Sequence, residues 1–193
     1  MLNKLVEILI SLIILIPVFL MLHKARFHNI GKTIAYFIFA VYLSAVYLFV
    51  GMPTLQFLRF DLSLTYIPFL PMVADLKNTA LNVLLFVPLG LLLPFLWRRY
   101  SRLKNTLLFG IGLSLSIEIL QILTYRATDI NDVIANALGA VLGYFLFRII
   151  ARIIPATTEF ARYKNDVSVI VRVVFLVMFF VQPYLATLYY KFT

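Results

Sequence analysis

Residues 114–143 read SLSIEILQILTYRATDINDVIANALGAVLG, and the rest of the chain is organised around this stretch. It consists of two apolar segments that carry or adjoin a group of polar side chains: Glu118, Gln121, Arg126, Asp129, Asn131, Asp132 and Asn136. A charged side chain near the middle of a bilayer costs roughly 2.5 to 3.5 kcal/mol on insertion scales, so such groups are rare unless they face the bundle interior or a wet cavity. We therefore expect the functional site in this stretch.

The composition indicates an integral membrane protein. Of the 193 residues, 63% are hydrophobic and 13% are charged, and the mean hydropathy is +1.01, which is more apolar surface than a soluble domain can bury. The chain has no cysteine, which excludes disulfides, thiolate metal sites and a cysteine nucleophile. Its net charge of +9 comes from basic residues in short loops, so we expect a lipid bilayer and no nucleic acid as partner.

Six apolar runs predict an all-α, polytopic bundle of transmembrane helices in a single membrane domain, residues 1–193. The predicted spans are residues 5–22, 33–52, 80–97, 105–124, 130–150 and 168–188, with a basic loop at 23–32. Residues 53–79, between the second and third spans, mix charges and prolines with aromatic residues and are too broken for a spanning helix. We expect an interfacial loop there, either a connector anchored in the membrane surface or a lid over the polar site.

The distribution of basic residues predicts the orientation in the cell membrane. The first, third and fifth connections, with Arg172 at the same end of the last span, hold 12 Lys and Arg residues, against 5 in the remaining connections and termini. Connections rich in Lys and Arg stay in the cytoplasm. This orientation predicts that both termini and the polar site lie on the extracytoplasmic side.

The spacing of the polar residues predicts two faces that meet. Ser114, Glu118 and Gln121 recur at helical spacing along the fourth span, as do Asp132, Asn136, Gly139 and Gly143 along the fifth. The turn at 125–128 is short, so these two helices are expected to be antiparallel neighbours. The glycines form a small-residue seam, which we expect to let the fourth and fifth helices approach each other closely.

Structural explanations compete with functional ones for most of these side chains. Asp129 is placed to cap the fifth helix, and Asp132 lies near the positive end of its dipole. Gln121 and Asn136 could simply hydrogen-bond between helices. Glu118 is the hardest to explain structurally, because a carboxylate inside the membrane edge needs a proton, a cation or a partner. The oxygen ligands of Glu118, Asp129 and Asp132 would suit a divalent cation, the one cofactor considered.

Three elements together resemble the VanZ-like membrane proteins of the bacterial cell envelope. They are Asn82 with Phe86-Val-Pro88-Leu-Gly90, then Glu118-Ile-Leu-Gln121, then Arg126-x-x-Asp129-x-x-Asp132-x-x-x-Asn136-x-x-Gly139; Tyr66-Ile-Pro68-Phe69 resembles the Ile-Pro-Phe element that precedes them in the family. The resemblance covers about residues 67–144. It leaves an N-terminal helix pair, 5–52, and a C-terminal helix, 168–188, outside this core.

The resemblance implies lowered susceptibility to glycopeptide antibiotics of the teicoplanin type. The ligand of the polar cleft would be the antibiotic or a lipid-linked cell-wall intermediate, with Asn82, Glu118, Gln121, Arg126, Asp129, Asp132 and Asn136 as candidate binding residues. One alternative is an enzyme that acts on a lipid phosphate or pyrophosphate, with Arg126 on the phosphate and the three carboxylates on a metal. Another is a transporter or flippase that uses Glu118 as a proton or substrate site. No catalytic residue is predicted, and the oligomeric state is left open.

Overall fold

The computed structural model describes residues 2–51, 64–65, 72, 75–123, 128–154 and 166–192. Within these ranges the helices are α1 (Leu2–Leu22), α2 (Ile30–Val50), α3 (Leu76–Leu96), α4 (Leu103–Gln121), α5 (Ile130–Ile153), α6 (Val167–Leu176) and α7 (Gln182–Phe192). Five π-helical residues, Val177–Val181, join α6 to α7, so the last two helices form one apolar stretch. Six helices of the described part are long and apolar enough to cross a membrane, which confirms the predicted all-α membrane bundle.

The chain forms two compact units. One comprises Met1–Leu58 with Asp166–Thr193, and the other Arg59–Asn165. The first therefore contains α1, α2, α6 and α7, and the second contains α3, α4 and α5. That residues 1–193 make one membrane domain stays a prediction.

In the first unit, the predicted basic loop at 23–32 is wrong in extent. A π-helical turn, His23–Phe27, continues α1, and α2 already begins at Ile30. The side chain of Asn29 caps α2 by accepting a hydrogen bond of 2.8 Å from the Lys32 N–H. His28 has a φ of 53°, in the left-handed region, and its N–H closes the π-helical turn on the His23 carbonyl. The connection outside helices is thus reduced to two residues, His28 and Asn29.

A buried ion-pair cluster holds the start of α6 to the α1–α2 connection. The Asp166 carboxylate lies 2.9 Å from the Arg26 guanidinium and 2.8 Å from the Lys32 ammonium. The Lys32 ammonium also lies 5.3 Å from the ring centres of both Phe27 and Tyr36, within the range of a cation–π contact. Because Asp166 and Lys32 are both buried, each charge depends on the other for its compensation.

In the second unit, α3 begins at Leu76, four residues earlier than the predicted span. The Asp75 side chain caps it by accepting a hydrogen bond of 3.0 Å from the Asn78 N–H. The helix then continues through Pro88 and Pro94 to Leu96. Sequence hydropathy missed the first turn because Lys77, Asn78 and Thr79 are polar.

Two very short strands add a feature that the sequence did not predict. Strands β1 (Leu64–Thr65) and β2 (Thr128–Asp129) pair in parallel, with Leu64 opposite Thr128 and Thr65 opposite Asp129. The pairing brings the backbone of the predicted interfacial loop beside the start of α5. Most of that loop, namely residues 53–63, 66–71 and 73–74, lies outside the described residues.

The glycine seam of α5 packs against α3, which corrects the prediction that it faces α4. A Cβ added to Gly139 would lie 2.2 Å from the Val83 carbonyl oxygen, and one added to Gly143 would lie 2.0 Å from that of Val87. Gly90 on α3 is equally close to the Ala140 carbonyl. Such contact is possible only where there is no side chain at all, so three glycines set the distance between α3 and α5. The small residue that meets α4 is Ala140, against Gly110.

Candidate functional site

The predicted polar residues of the described part gather at one end of the second unit. Asn82 lies in the second turn of α3, Glu118 and Gln121 lie in the last turn of α4, and Asp129 to Asn136 open α5. Because α4 is antiparallel to its two neighbours, these three helix ends fall at the same level. The bundle of α3, α4 and α5 therefore presents one polar end.

Glu118 is buried and is tied to the start of α5. Glu118 is 3% exposed. Its Oε2 accepts a hydrogen bond of 2.9 Å from the backbone N–H of Asp129. The carboxylate thus lies beside the N-terminus of α5, where the helix dipole favours negative charge. This contact gives the buried carboxylate the partner that the sequence required.

Asp129 caps α5, as the sequence predicted. Its Oδ1 accepts hydrogen bonds from the backbone N–H of Asn131, at 2.9 Å, and from the side-chain Nδ2 of Asn131, at 2.7 Å. Asn131 is buried, so its amide is part of the site. Cap and amide together fix the Asp129 carboxylate at the helix entrance.

Asp132 connects α5 to α3. Its Oδ1 accepts a hydrogen bond of 2.6 Å from Nδ2 of Asn82. The sequence placed Asp132 on a face that meets α4, whereas this contact is directed to α3 because the glycines of the same face pack there. Asn82 therefore joins the site through a direct hydrogen bond.

Asn136 makes the predicted contact between α4 and α5. Its Nδ2 donates a hydrogen bond of 2.9 Å to Oγ of Ser114, and both side chains are buried. Its Oδ1 is also buried and has no hydrogen-bond partner among the described residues. A buried acceptor without a donor costs about 1 to 3 kcal/mol. This atom is thus an available acceptor inside the bundle, one helical turn from Asp132 and next to the buried side chains of α4.

Comparison with known proteins identifies the family. The model of the VanZ/LLP1 family matches residues 8–151, most of the chain. The chain belongs to the VanZ/LLP1 family. Protein VanZ of Enterococcus faecium is 43% identical to it over 67 residues, which are 34% of this chain and 41% of that relative. The chain thus aligns with less than half the length of Protein VanZ. No solved structure matches.

The VanZ/LLP1 match includes the whole polar end described above. It also begins before α2, so it extends over the N-terminal helix pair as well as over the resemblance read at residues 67–144. Six apolar helices in the described residues make this family member a multi-pass membrane protein.

The carboxylates predicted as metal ligands make hydrogen bonds to nitrogen donors in the described part of the chain. No group of three or more His, Cys, Asp or Glu side chains within the described ranges is close enough together to hold an ion. Glu118, Asp129 and Asp132 each meet a nitrogen donor instead: a backbone N–H, the Asn131 amide and the Asn82 amide. Arg126, predicted as a phosphate ligand, lies outside the described residues.

Sequence reasoning omitted two side chains from the candidate site. Ser114 was placed on the correct face of α4 but not among the binding residues, and Asn131 was only noted in the polar stretch. A small hydroxyl at i−4 from Glu118 and an asparagine two residues after a cap were the available signals. Gln121 was predicted, and it is buried in the last turn of α4.

Proposed function

We propose that this protein lowers susceptibility to glycopeptide antibiotics of the teicoplanin type, and that it does so by binding the antibiotic or a lipid-linked cell-wall intermediate in the polar end of α3, α4 and α5. Membership of the VanZ/LLP1 family and the similarity to Protein VanZ support the association with resistance. The observation that carries the binding role is the buried, acceptor-rich network that links the three helices.

The chemistry of this network favours a ligand with many hydrogen-bond donors. The described side chains include three carboxylates and the Oδ1 of Asn136, for which the described residues supply no donor. Peptide N–H groups, ammonium groups and sugar hydroxyls would pair with such acceptors. Glycopeptides and cell-wall intermediates that carry sugars and peptides present these donors.

The same contacts favour binding over phosphate chemistry. A magnesium site needs several oxygen ligands that converge on one point, at about 2.0 to 2.1 Å from the ion. Here Glu118, Asp129 and Asp132 each accept a hydrogen bond from a different nitrogen donor, and within the described residues no group of three or more His, Cys, Asp or Glu side chains is close enough together to hold an ion.

The predicted orientation supports a cleft that opens to the cell exterior. The basic connection Arg98 to Lys104 lies at the opposite end of α3 and α4 from the polar residues, and basic connections stay in the cytoplasm. An extracytoplasmic cleft in the cell membrane would have access both to the antibiotic and to intermediates displayed on the outer leaflet.

The test is drug susceptibility measured beside membrane abundance. A susceptible bacterial host expresses the wild-type chain, Glu118→Gln, Asp132→Asn or Arg126→Ala, and the minimum inhibitory concentration of teicoplanin is determined with a quantitative immunoblot of the membranes. Ser116→Ala is the matched control, because Ser116 lies on α4 but is exposed, and its hydroxyl donates a hydrogen bond to the Gly112 carbonyl of the same helix.

We expect the site variants to reach normal membrane abundance but to give an inhibitory concentration of teicoplanin at least fourfold below that of the wild-type chain. Ser116→Ala should keep the wild-type value. Full protection by Glu118→Gln and Asp132→Asn at wild-type abundance would overturn the binding role of this network. Isothermal titration of the purified chain with teicoplanin then separates the two ligands. A heat of binding that is lost in Glu118→Gln indicates that the antibiotic is the ligand. If the wild-type chain protects cells but gives no heat of binding, the ligand is the cell-wall intermediate.

A further inference from the structure

The opposite end of the second unit carries a cavity that the proposed function does not use. It measures about 200 Å³ and is lined by Arg99, Tyr100, Asn105, Leu108 and Phe109. These residues belong to the 3₁₀ turn Arg98–Ser101 and to the first turns of α4. The apolar spans end at Leu96 and resume at Leu103, so the cavity lies at the membrane boundary.

The turn that forms one wall of the cavity is held by side chains. The three successive carbonyls of Arg99, Tyr100 and Ser101 accept hydrogen bonds from Asn105 Nδ2 at 2.6 Å, Thr106 Oγ1 at 2.7 Å and the Tyr144 hydroxyl at 2.9 Å, respectively. Three of the four carbonyls of the turn thus accept hydrogen bonds from side chains. What it presents to the surroundings is therefore mainly positive charge on a fixed backbone.

Among the described residues, the charged side chains at this end of the unit are all basic. Six basic residues surround it, and residues 76–117 and 133–154 contain no Asp or Glu. They are Arg98, Arg99, Arg102, Lys104, Arg148 and Arg152. Tyr144 reaches the turn from α5, so the two arginines in the last turns of α5 lie at the same end. Positive charge without acidic partners attracts anions, most strongly at low ionic strength.

The cavity combines a cation with a neutral donor and an apolar wall. Arg99 is exposed, whereas Tyr100 is buried and packs edge-on against Phe109 with ring centres 5.4 Å apart. Burial raises the pKa of Tyr100, against the opposing effect of the Arg99 charge, so the phenol is protonated and can donate at neutral pH. Leu108 is exposed and adds apolar surface on the membrane side.

We propose that this cavity binds the anionic headgroup of a membrane phospholipid. The Arg99 guanidinium pairs with the phosphate, and Leu108 and Phe109 contact the adjoining carbons of the lipid. Guanidinium matches the geometry of phosphate oxygens, and basic pockets between membrane helices recognise anionic lipid headgroups. The volume is smaller than the 300 to 1,000 Å³ of sites for drug-sized molecules, roughly as expected for a headgroup alone. This proposal is independent of the antibiotic-related function.

The experiment measures lipid-dependent stability of the purified full chain in a neutral detergent. Melting temperature is followed while phosphatidylglycerol, phosphatidylcholine or inorganic phosphate is titrated in. Arg99→Gln removes the proposed phosphate ligand. Arg102→Gln is the matched control, because it removes the same charge from an exposed residue of the same connection that does not line the cavity. Leu108→Trp fills the cavity without a change of charge.

We expect phosphatidylglycerol to raise the melting temperature more than phosphatidylcholine does, and Arg99→Gln to weaken its apparent affinity about fivefold, as for loss of one lipid-facing cation. Arg102→Gln should weaken it less than twofold, and Leu108→Trp should weaken it as Arg99→Gln does. Equal losses for Arg99→Gln and Arg102→Gln, or no difference between the two lipids, would overturn the proposal. Stabilisation by inorganic phosphate equal to that by phosphatidylglycerol would overturn it in favour of a soluble anion. If Arg99→Gln does not fold, two measurements still test the proposal. They are the effect of Leu108→Trp on the apparent affinity for phosphatidylglycerol and the comparison of the two lipids on the wild-type chain.

Discussion

The carboxylate of Glu118, near the end of α4, accepts a hydrogen bond of 2.9 Å from the backbone N–H of Asp129, the residue that caps α5. This contact joins the last turn of α4 to the start of α5. It also explains how an acidic side chain is tolerated in an apolar helix, because an amide donor and the positive end of a helix dipole face it. Glu118 thus has a structural role beside the proposed binding role, and the two can be separated.

Two substitutions of Glu118 should differ in stability. Glu118→Gln keeps an oxygen acceptor for the Asp129 N–H, so we expect a change in unfolding free energy below about 1 kcal/mol. Glu118→Ala leaves that buried N–H without its acceptor and should cost about 1 to 3 kcal/mol. The measurement is the melting temperature of each variant in detergent. Equal stability of the two variants would show that the hydrogen bond contributes nothing to the fold.

Two glycines of the same bundle should respond in opposite ways to a single methyl group. Gly143→Ala places a Cβ 2.0 Å from the Val87 carbonyl oxygen and 2.9 Å from the Leu91 nitrogen, so we expect it to push α3 and α5 apart and to cost about 1 to 3 kcal/mol. Gly112→Ala on α4 meets no atom of the described residues within 4 Å and should gain up to about 1 kcal/mol from the better helix propensity of alanine.

The check is membrane abundance together with melting temperature for both alanine variants. Because the two substitutions are chemically identical, any general effect of alanine on a membrane helix cancels in the comparison. A Gly143→Ala variant as stable as the Gly112→Ala variant would show that close packing of α3 against α5 does not limit stability.

Hydropathy and helical spacing predicted the spans and most of the polar end. The six apolar runs correspond to six helices long enough to span a membrane. Helical spacing predicted that the polar faces of α4 and α5 meet, and Ser114 and Asn136 on these faces form a hydrogen bond. Both results follow from local rules: an apolar run must be long enough to cross the bilayer, and residues three or four apart share a helix face.

Those rules do not predict which neighbouring helix packs against each helix face. Spacing placed Asp132 and Gly139 on one face of α5 but could not say whether α3 or α4 lies against it, since a short turn only ensures that α4 is a neighbour. The first turn of α3 was missed because Asp75 and Asn78 are polar. The pairing of Thr65 with Asp129 was missed because a strand of two residues is too short to show an alternating pattern in the sequence. The sequence did not single out Asp166, because its two partners are distant in the chain: Arg26 lies 140 residues away, and Lys32 lies in α2.

The predicted topology can be tested with single cysteines, because the chain has no native thiol. Asp61→Cys and Ala127→Cys should react with a membrane-impermeant maleimide on intact cells, and Arg102→Cys should react only after the cells are opened. Arg102 is exposed in the structure, so protection of this position reports on the side of the membrane. Labelling of Arg102→Cys but not of Ala127→Cys on intact cells would reverse the orientation and place the polar end in the cytoplasm.

Asp166 should make the first unit sensitive to acid. Its burial disfavours the carboxylate, but hydrogen bonds and charge from Lys32 and Arg26 outweigh this effect and hold its pKa below the usual value of 3.8. In the unfolded chain the group binds its proton at higher pH than in the folded one, so this contribution to stability is complete above about pH 4 and is lost as the pH falls through the folded pKa. Asp166→Asn should cost about 3 kcal/mol at neutral pH, since it leaves the buried Lys32 without its counter-ion.

The comparison that isolates this ion pair is the melting temperature of wild type and Asp166→Asn between pH 7 and pH 3. We expect a constant difference down to about pH 4 and a decreasing one below it, because protonated Asp166 and asparagine are both neutral. Arg26→Gln is the control with a smaller expected effect, since the Arg26 side chain is 53% exposed and water can take over its solvation. A difference between wild type and Asp166→Asn that stays the same down to pH 3 would mean that Asp166 acts through packing rather than through its charge.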